Sequence, residues 1–199
     1  QDSNADGEHQ PEDGEALVNA TSIELFANGA CDGEPLRSAP AEQRSAYLFT
    51  RLPPGTYCVR FCVDAAWSFT EPLAANVSAA DNSDAQFAEW AVPQQQAVPQ
   101  RCAPTPAQVL TAPGERGTDV DAGVLRLACL GDLVWVDGDA DGQRDQLPQL
   151  EPGLPDAGTA LQLVEADGNT TVATQRTDAS GAYLYCRLRP NALRVLFTV

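Results

Sequence analysis

The stretch Ala46–Val63, AYLFTRLPPGTYCVRFCV, lies without a gap over Ala182–Val199, AYLYCRLRPNALRVLFTV, 136 residues further on, with 9 of 18 positions identical. A self-match of this kind bears on the architecture before any strand is assigned, because copies of a repeat fold as the same unit. In the first copy Tyr57, Val59, Phe61 and Val63 alternate with Cys58, Arg60 and Cys62; in the second Leu193, Val195, Phe197 and Val199 alternate with Arg194, Leu196 and Thr198. A period of two marks a half-buried strand. Working outward, further strands are predicted at Ser22–Ala27, Val124–Ala128, Asp132–Asp137, Ala160–Glu165 and Thr171–Thr177. Turn signals such as Ala166-Asp167-Gly168-Asn169 and Ser180-Gly181 separate them, and no stretch of about 12 residues keeps a helical period. Many short strands with Gly and Pro turns make an all-β sandwich.

The offset also divides the chain. Repeat one is expected over residues 1–130, with an irregular region at 64–113 that carries strands near Trp67 and over Phe87–Val92. Repeat two is expected over 131–199 as the first half of a second copy, so the chain reads as a cut-out from a longer array.

Composition removes several function classes. The 199 residues hold 28 Asp and Glu against 12 basic residues, a net charge of −16, which repels nucleic acid. All 12 basic residues are Arg; without Lys there is no Schiff-base or ammonium catalyst. Nothing approaches the roughly 20 apolar residues of a membrane helix, so no membrane insertion is expected in this segment. No basic-then-apolar signal opens the chain; if the protein is secreted, its signal is already removed. Asn19, Asn76 and Asn169 begin Asn-x-Ser/Thr sequons, a pattern for surface glycosylation.

The six cysteines, Cys31, Cys58, Cys62, Cys102, Cys129 and Cys186, include no Cys-x-x-Cys pair and meet a single histidine, His9. Disulfides in an oxidising compartment fit this better than zinc. Cys58 and Cys62 share one face of a strand at roughly 13 Å, too far to bridge, so each needs another partner. If all six pair within the chain, Cys186 must reach across the expected junction at Gly131, and Cys129 is nearest in sequence.

The clearest chemical signal is Asp137-Gly-Asp139-Ala-Asp141-Gly142-Gln143-Arg144-Asp145, in which oxygen-bearing side chains recur at every second position. These are the first nine positions of an EF-hand-type calcium loop, with Gly at the sharp turn. Position 12 is Pro148, which has no side-chain oxygen, so the closing carboxylate would be Glu151 through a longer loop. A degenerate copy runs through Asp2, Asn4, Asp6, the Glu8 carbonyl, Gln10 and Asp13, where the last arm is short for bidentate closure. Without a cation, carboxylates crowded in this way repel one another.

No poised catalytic constellation stands out. Asp119 with Asp121, or Glu151 with Asp156, are carboxylates on turns of an acidic chain, and His9 has no identifiable Ser or Cys partner. Trp67, Trp90 and Trp135 could form a sugar-stacking platform, but buried sandwich tryptophans are the better expectation.

Taken together, Gly131-Asp132-Leu133-Val134-Trp135-Val136-Asp137, the acidic loop, Glu151-Pro152-Gly153-Leu154-Pro155, Leu161-Gln162-Leu163, Thr177-Asp178-Ala179-Ser180-Gly181-Ala182-Tyr183 and Arg187-Leu188-Arg189-Pro190 resemble an SdrD B-like repeat, related to Cna B-type domains. Leu52-Pro53-Pro54-Gly55-Thr56-Tyr57 and Thr118-Asp119-Val120-Asp121-Ala122-Gly123 match the same pattern in repeat one. The resemblance implies tandem immunoglobulin-like, prealbumin-like β-sandwiches, calcium held by Asp137, Asp139, Asp141, the Gln143 carbonyl, Asp145 and Glu151, and a stalk or scaffold on an extracellular surface. Its implied partners are neighbouring repeats and other subunits of a surface assembly or filament. Some Cna-type domains carry a Lys–Asn isopeptide lock, which a chain without Lys cannot make, and the cysteines are expected to lock this one instead. An adhesion module for a glycan or protein, or an accessory domain of a secreted enzyme, are the alternative readings.

Overall fold

The computed structural model describes residues 16–40, 42, 46–70, 83–86, 100–145, 150–155, 160–189 and 192–198. Those up to Leu127 form one compact unit and those from Ala128 onward a second. The first contains β1 (Ser22–Ala27), β2 (Arg37–Ser38), β3 (Gly55–Asp64), β4 (Trp67–Phe69), β5 (Gln100–Pro104), β6 (Gln108–Leu110) and β7 (Val124–Arg126). The second contains β8 (Ala128–Leu133), β9 (Ala160–Glu165), β10 (Thr171–Arg176), β11 (Ala182–Leu188) and β12 (Leu193–Thr198). Every pairing between these strands is antiparallel, and no α-helix occurs among the described residues.

In the first unit the sheet order is β2-β1-β3-β5, with β6 also on β3, and β4 pairs β7 in a second sheet. Ile23 and Leu25 from β1 and Tyr57, Val59, Phe61 and Val63 from β3 pack with Phe69 and Val124 of the second sheet in one buried cluster. The apolar alternation of β3 is therefore the inner face of a sandwich. Its other face, expected to be wet, is buried as well: Cys58 and Cys62 are each 1% exposed. Disulfides Cys31–Cys58 and Cys62–Cys102 lie there, and Arg60 sits 4.5 Å from the Phe26 ring centre while pairing with Glu24 at 2.6 Å.

The second unit has sheets β10-β9-β12 and β11-β8, with Leu161, Leu163, Tyr185 and Leu188 buried between them. The Tyr185 hydroxyl crosses from one sheet to the other and donates to the Leu161 carbonyl at 2.8 Å.

The repeat in sequence is a repeat in register. Ser22 faces Cys62 across β1–β3, and Ala160 faces Thr198 across β9–β12; Glu24 faces Ser38, and Gln162 faces Thr174. Tyr47 meets Phe61 edge-on at 5.6 Å, and their counterparts Tyr183 and Phe197 meet edge-on at 5.9 Å. Arg51 and Arg187, identical in the self-match, both take a left-handed backbone, φ 57° and 62°. That conformation is uncommon for a side chain with a Cβ, so two copies keeping it share a backbone path.

Several expectations need correction. The region 64–113 carries β5 and β6 as well as β4, and together β5 and β6 cover one edge of β3. They escape notice because Pro104 and Pro106 break the alternation; Thr105 bridges them instead, its amide donating to the Val59 carbonyl and its hydroxyl oxygen accepting from the Val59 amide. Asp132–Asp137 is not one strand: β8 stops at Leu133, and Trp135 makes an isolated bridge to Gly153. The division falls between Leu127 and Ala128, not at 130/131, because Ala128–Leu133 runs unbroken against β11. Cys129 therefore belongs to the second unit, and its bond to Cys186 joins directly opposed residues of β8 and β11 without crossing the division. The predicted strand Phe87–Val92 lies outside the described residues.

Candidate metal centre

The acidic loop leaves the second sandwich just after the Trp135 bridge and returns to it at Gly153. Two backbone bonds hold its mouth: the Val136 amide donates to the Pro152 carbonyl at 3.0 Å and the Leu154 amide to the Val134 carbonyl at 2.7 Å. Between these ends the chain must turn back on itself. Gly142 takes φ 79°, and Ala140 is left-handed at 62°. Asp137 organises the turn, accepting from the Ala140 amide at 2.7 Å on Oδ1 and from the Gly142 amide at 3.0 Å on Oδ2.

Glu151 closes the loop. It is only 6% exposed, with Oε1 accepting from the Gly138 amide at 2.5 Å and Oε2 from the Asp145 amide at 3.2 Å. The Glu151 amide in turn donates to the Asp145 carbonyl at 3.3 Å. The carboxylate that the spacing placed three residues late thus reaches the loop and braces both of its arms.

Carboxylate oxygens of Asp137, Asp139 and Glu151 lie within 4.8 Å of one another. Asp139 and Asp145 line an open cleft of about 310 Å³ with Val136, Gly138, Leu150, Glu151 and Pro152. Asp141 and Asp145 stand outside the group of three. Both Asp141 oxygens are engaged by Gln143, from its amide at 2.7 Å and its side-chain nitrogen at 3.2 Å. Withdrawal from water, followed by the charges of Asp139, Asp141, Glu151 and Asp137, holds the Asp145 carboxyl above its ordinary value.

This donor set is all oxygen, with no Cys or His, which suits a hard divalent cation and not zinc or copper. Amide donors occupy some lone pairs, but each carboxylate oxygen has a second. Three gathered carboxylates fall short of the six to eight oxygens calcium takes, so Asp141, Asp145, backbone carbonyls and water would supply the rest.

Other candidate residues are scattered. Asn19 is exposed just before β1, and Asn169 is exposed in the β9–β10 turn. Trp67 and Trp135 are half-buried. The Asp121 amide donates to Asp84 Oδ2 at 3.2 Å, a brace between loops that sequence spacing did not reveal. Asp2, Asn4, Asp6, Glu8, His9, Gln10, Asp13, Asn76, Trp90 and Asp156 lie outside the described residues. No helix among the described residues is long and apolar enough to cross a membrane.

Residues 128–199 match the SdrD B-like domain family. The chain is similar to serine-aspartate repeat-containing protein C of Staphylococcus aureus, 26% identical over 172 residues in strains Newman and USA300 and 25% identical in strain N315. The alignment covers 83% of this chain and 15% of the relatives, so the chain spans a small part of their length. No solved structure gives a significant match.

Proposed function

We propose that this chain, which carries an SdrD B-like domain at residues 128–199, is a non-catalytic structural repeat segment of an extracellular surface protein. In this reading the first unit is a divergent copy of the second, supported by the matched strand registers. Its partners are neighbouring repeats of the same chain and other subunits of a surface assembly, in which it serves as a stalk or scaffold. Disulfides take the locking role, and calcium orders the acidic loop at the start of the second sandwich.

One observation carries the calcium reading: Glu151, nearly buried, is drawn out of sequence order to the oxygens of Asp137 and Asp139. Burying a carboxylate beside two others is costly unless a cation offsets their repulsion. Asp137, Asp139 and Glu151 would bind the ion first, with Asp141, the Gln143 carbonyl and Asp145 completing the shell.

Terbium titration tests this directly, because Trp135 lies two residues from Asp137 and can sensitise a bound lanthanide. Saturable terbium emission displaced by calcium is expected, together with a higher melting temperature than in chelator. At calcium 100-fold above its dissociation constant the stabilisation is about 2.7 kcal/mol. Glu151→Gln should abolish most of both signals. Identical melting curves in chelator and millimolar calcium, with no terbium emission, would refute the reading.

A further inference from the structure

The acidic loop is held from outside as well as from within. Residues 134–136, 152–154 and 177–181 of the second sandwich meet at its mouth. Val134 is the hub, with its amide donating to the Gly181 carbonyl at 2.9 Å and its carbonyl accepting from the Leu154 amide at 2.7 Å. The 177–181 turn is closed by the Gly181 amide, which donates to the Asp178 carbonyl at 3.0 Å. Thr177, 3% exposed, adds a side-chain tie: its hydroxyl donates to the Leu154 carbonyl at 2.7 Å.

Two glycines make this approach possible. A Cβ on Gly153 would run into the Ser180 carbonyl oxygen and stand 3.1 Å from the Gly181 Cα. One on Gly181, whose φ is 84°, would run into the Val134 carbonyl oxygen and stand 2.7 Å from the Gly153 Cα. The two backbones are therefore in direct contact, and a side chain at either position would force them apart. Glu151 lies two residues before Gly153, so the segment that carries the closing carboxylate of the loop is seated on the 177–181 turn.

We propose that this turn is the seat that holds Glu151 in place for the cation, with Thr177, Gly153 and Gly181 as positioning residues and not ligands. The proposal rests on the calcium reading for its ion. A carboxylate already ordered in the folded chain needs no further ordering when the ion arrives. One on a loosened segment must be ordered at that moment, and the affinity falls accordingly. The bonds of the Glu151 carboxylate to the Gly138 and Asp145 amides report the same seat without any metal.

The test compares Thr177→Val, which keeps the shape and loses the hydroxyl, with Thr177→Ser, which keeps the hydroxyl, each in the whole chain. Thr177→Val should weaken terbium and calcium binding by roughly tenfold, because the Leu154 carbonyl loses its donor. Bound terbium should also show a shorter emission lifetime in water relative to heavy water, as water takes the place of Glu151. Thr177→Ser should stay within about twofold of the parent. In chelator, Thr177→Val should speed hydrogen exchange at the Gly138 and Asp145 amides by roughly tenfold or more and leave the Leu161 and Leu163 amides unchanged. This arm reads the seat even if the parent binds no terbium, an outcome that sinks the calcium reading by itself. Exchange at Gly138 and Asp145 that matches the parent overturns the proposal. So does equal acceleration at Leu161 and Leu163, because Thr177 would then stabilise the sandwich as a whole, and so does an equal loss of affinity in the Val and Ser variants.

Discussion

Asp178 accepts from the Ser180 hydroxyl at 2.6 Å, the Ser180 amide at 2.8 Å and the Ala182 amide at 3.0 Å. The side-chain bond first, then the two amides, hold its carboxyl below the ordinary value. A depressed folded pKa adds stability that is present above the unfolded value and lost as pH falls through the folded one. Asp178→Ala should therefore melt at a lower temperature than the parent at pH 7, with the gap closing as acid protonates the group, to be followed by thermal scans across pH. The Thr177-Asp178-Ala179-Ser180-Gly181 turn was legible because such bonds are local. Glu151 was harder: its distance from the loop could be counted, but its burial and its two amide bonds depend on how Gly153 pairs with Trp135.

At the scale of elements, β3 and β12 are one pattern in two settings. Phe61 is enclosed by β5 and the second sheet, while Phe197, opposite Leu161 across the strands and edge-on to Tyr183, is half-exposed. Phe61→Ala should cost about 3–5 kcal/mol as a core cavity, and Phe197→Ala only about 1–2 kcal/mol because half its surface is already in water. Chemical denaturation of the two variants checks the ordering; equal losses would show that Phe197 is covered in solution. Strand β1 (Ser22–Ala27) was predicted to the residue, since its ends are marked by turns and its inner face by Ile23 and Leu25. Strands β5 and β6 were missed, because what makes Gln100–Leu110 extended is the edge of β3, a partner about 45 residues away with no local signature.

For the whole molecule, the disulfides sort by unit: two pin the outer face of the first sandwich, and Cys129–Cys186 ties β8 to β11 within the second. Replacing both Cys129 and Cys186 with Ser should destabilise the second unit by about 2–4 kcal/mol and leave hydrogen exchange in β1 and β3 unchanged. Faster exchange in both units would mean that the bond holds more than its own sandwich. The amino-acid order by itself determined the repeat, the all-β class, the acidic loop and the impossibility of a Cys58–Cys62 bond. Each of these is a matter of period, spacing or residue chemistry along the chain. Which cysteines pair, where the units divide and how Glu151 meets Asp137 were decided only in three dimensions. They depend on strands that meet across long stretches of sequence, and contacts of that kind leave no mark on the residues in between.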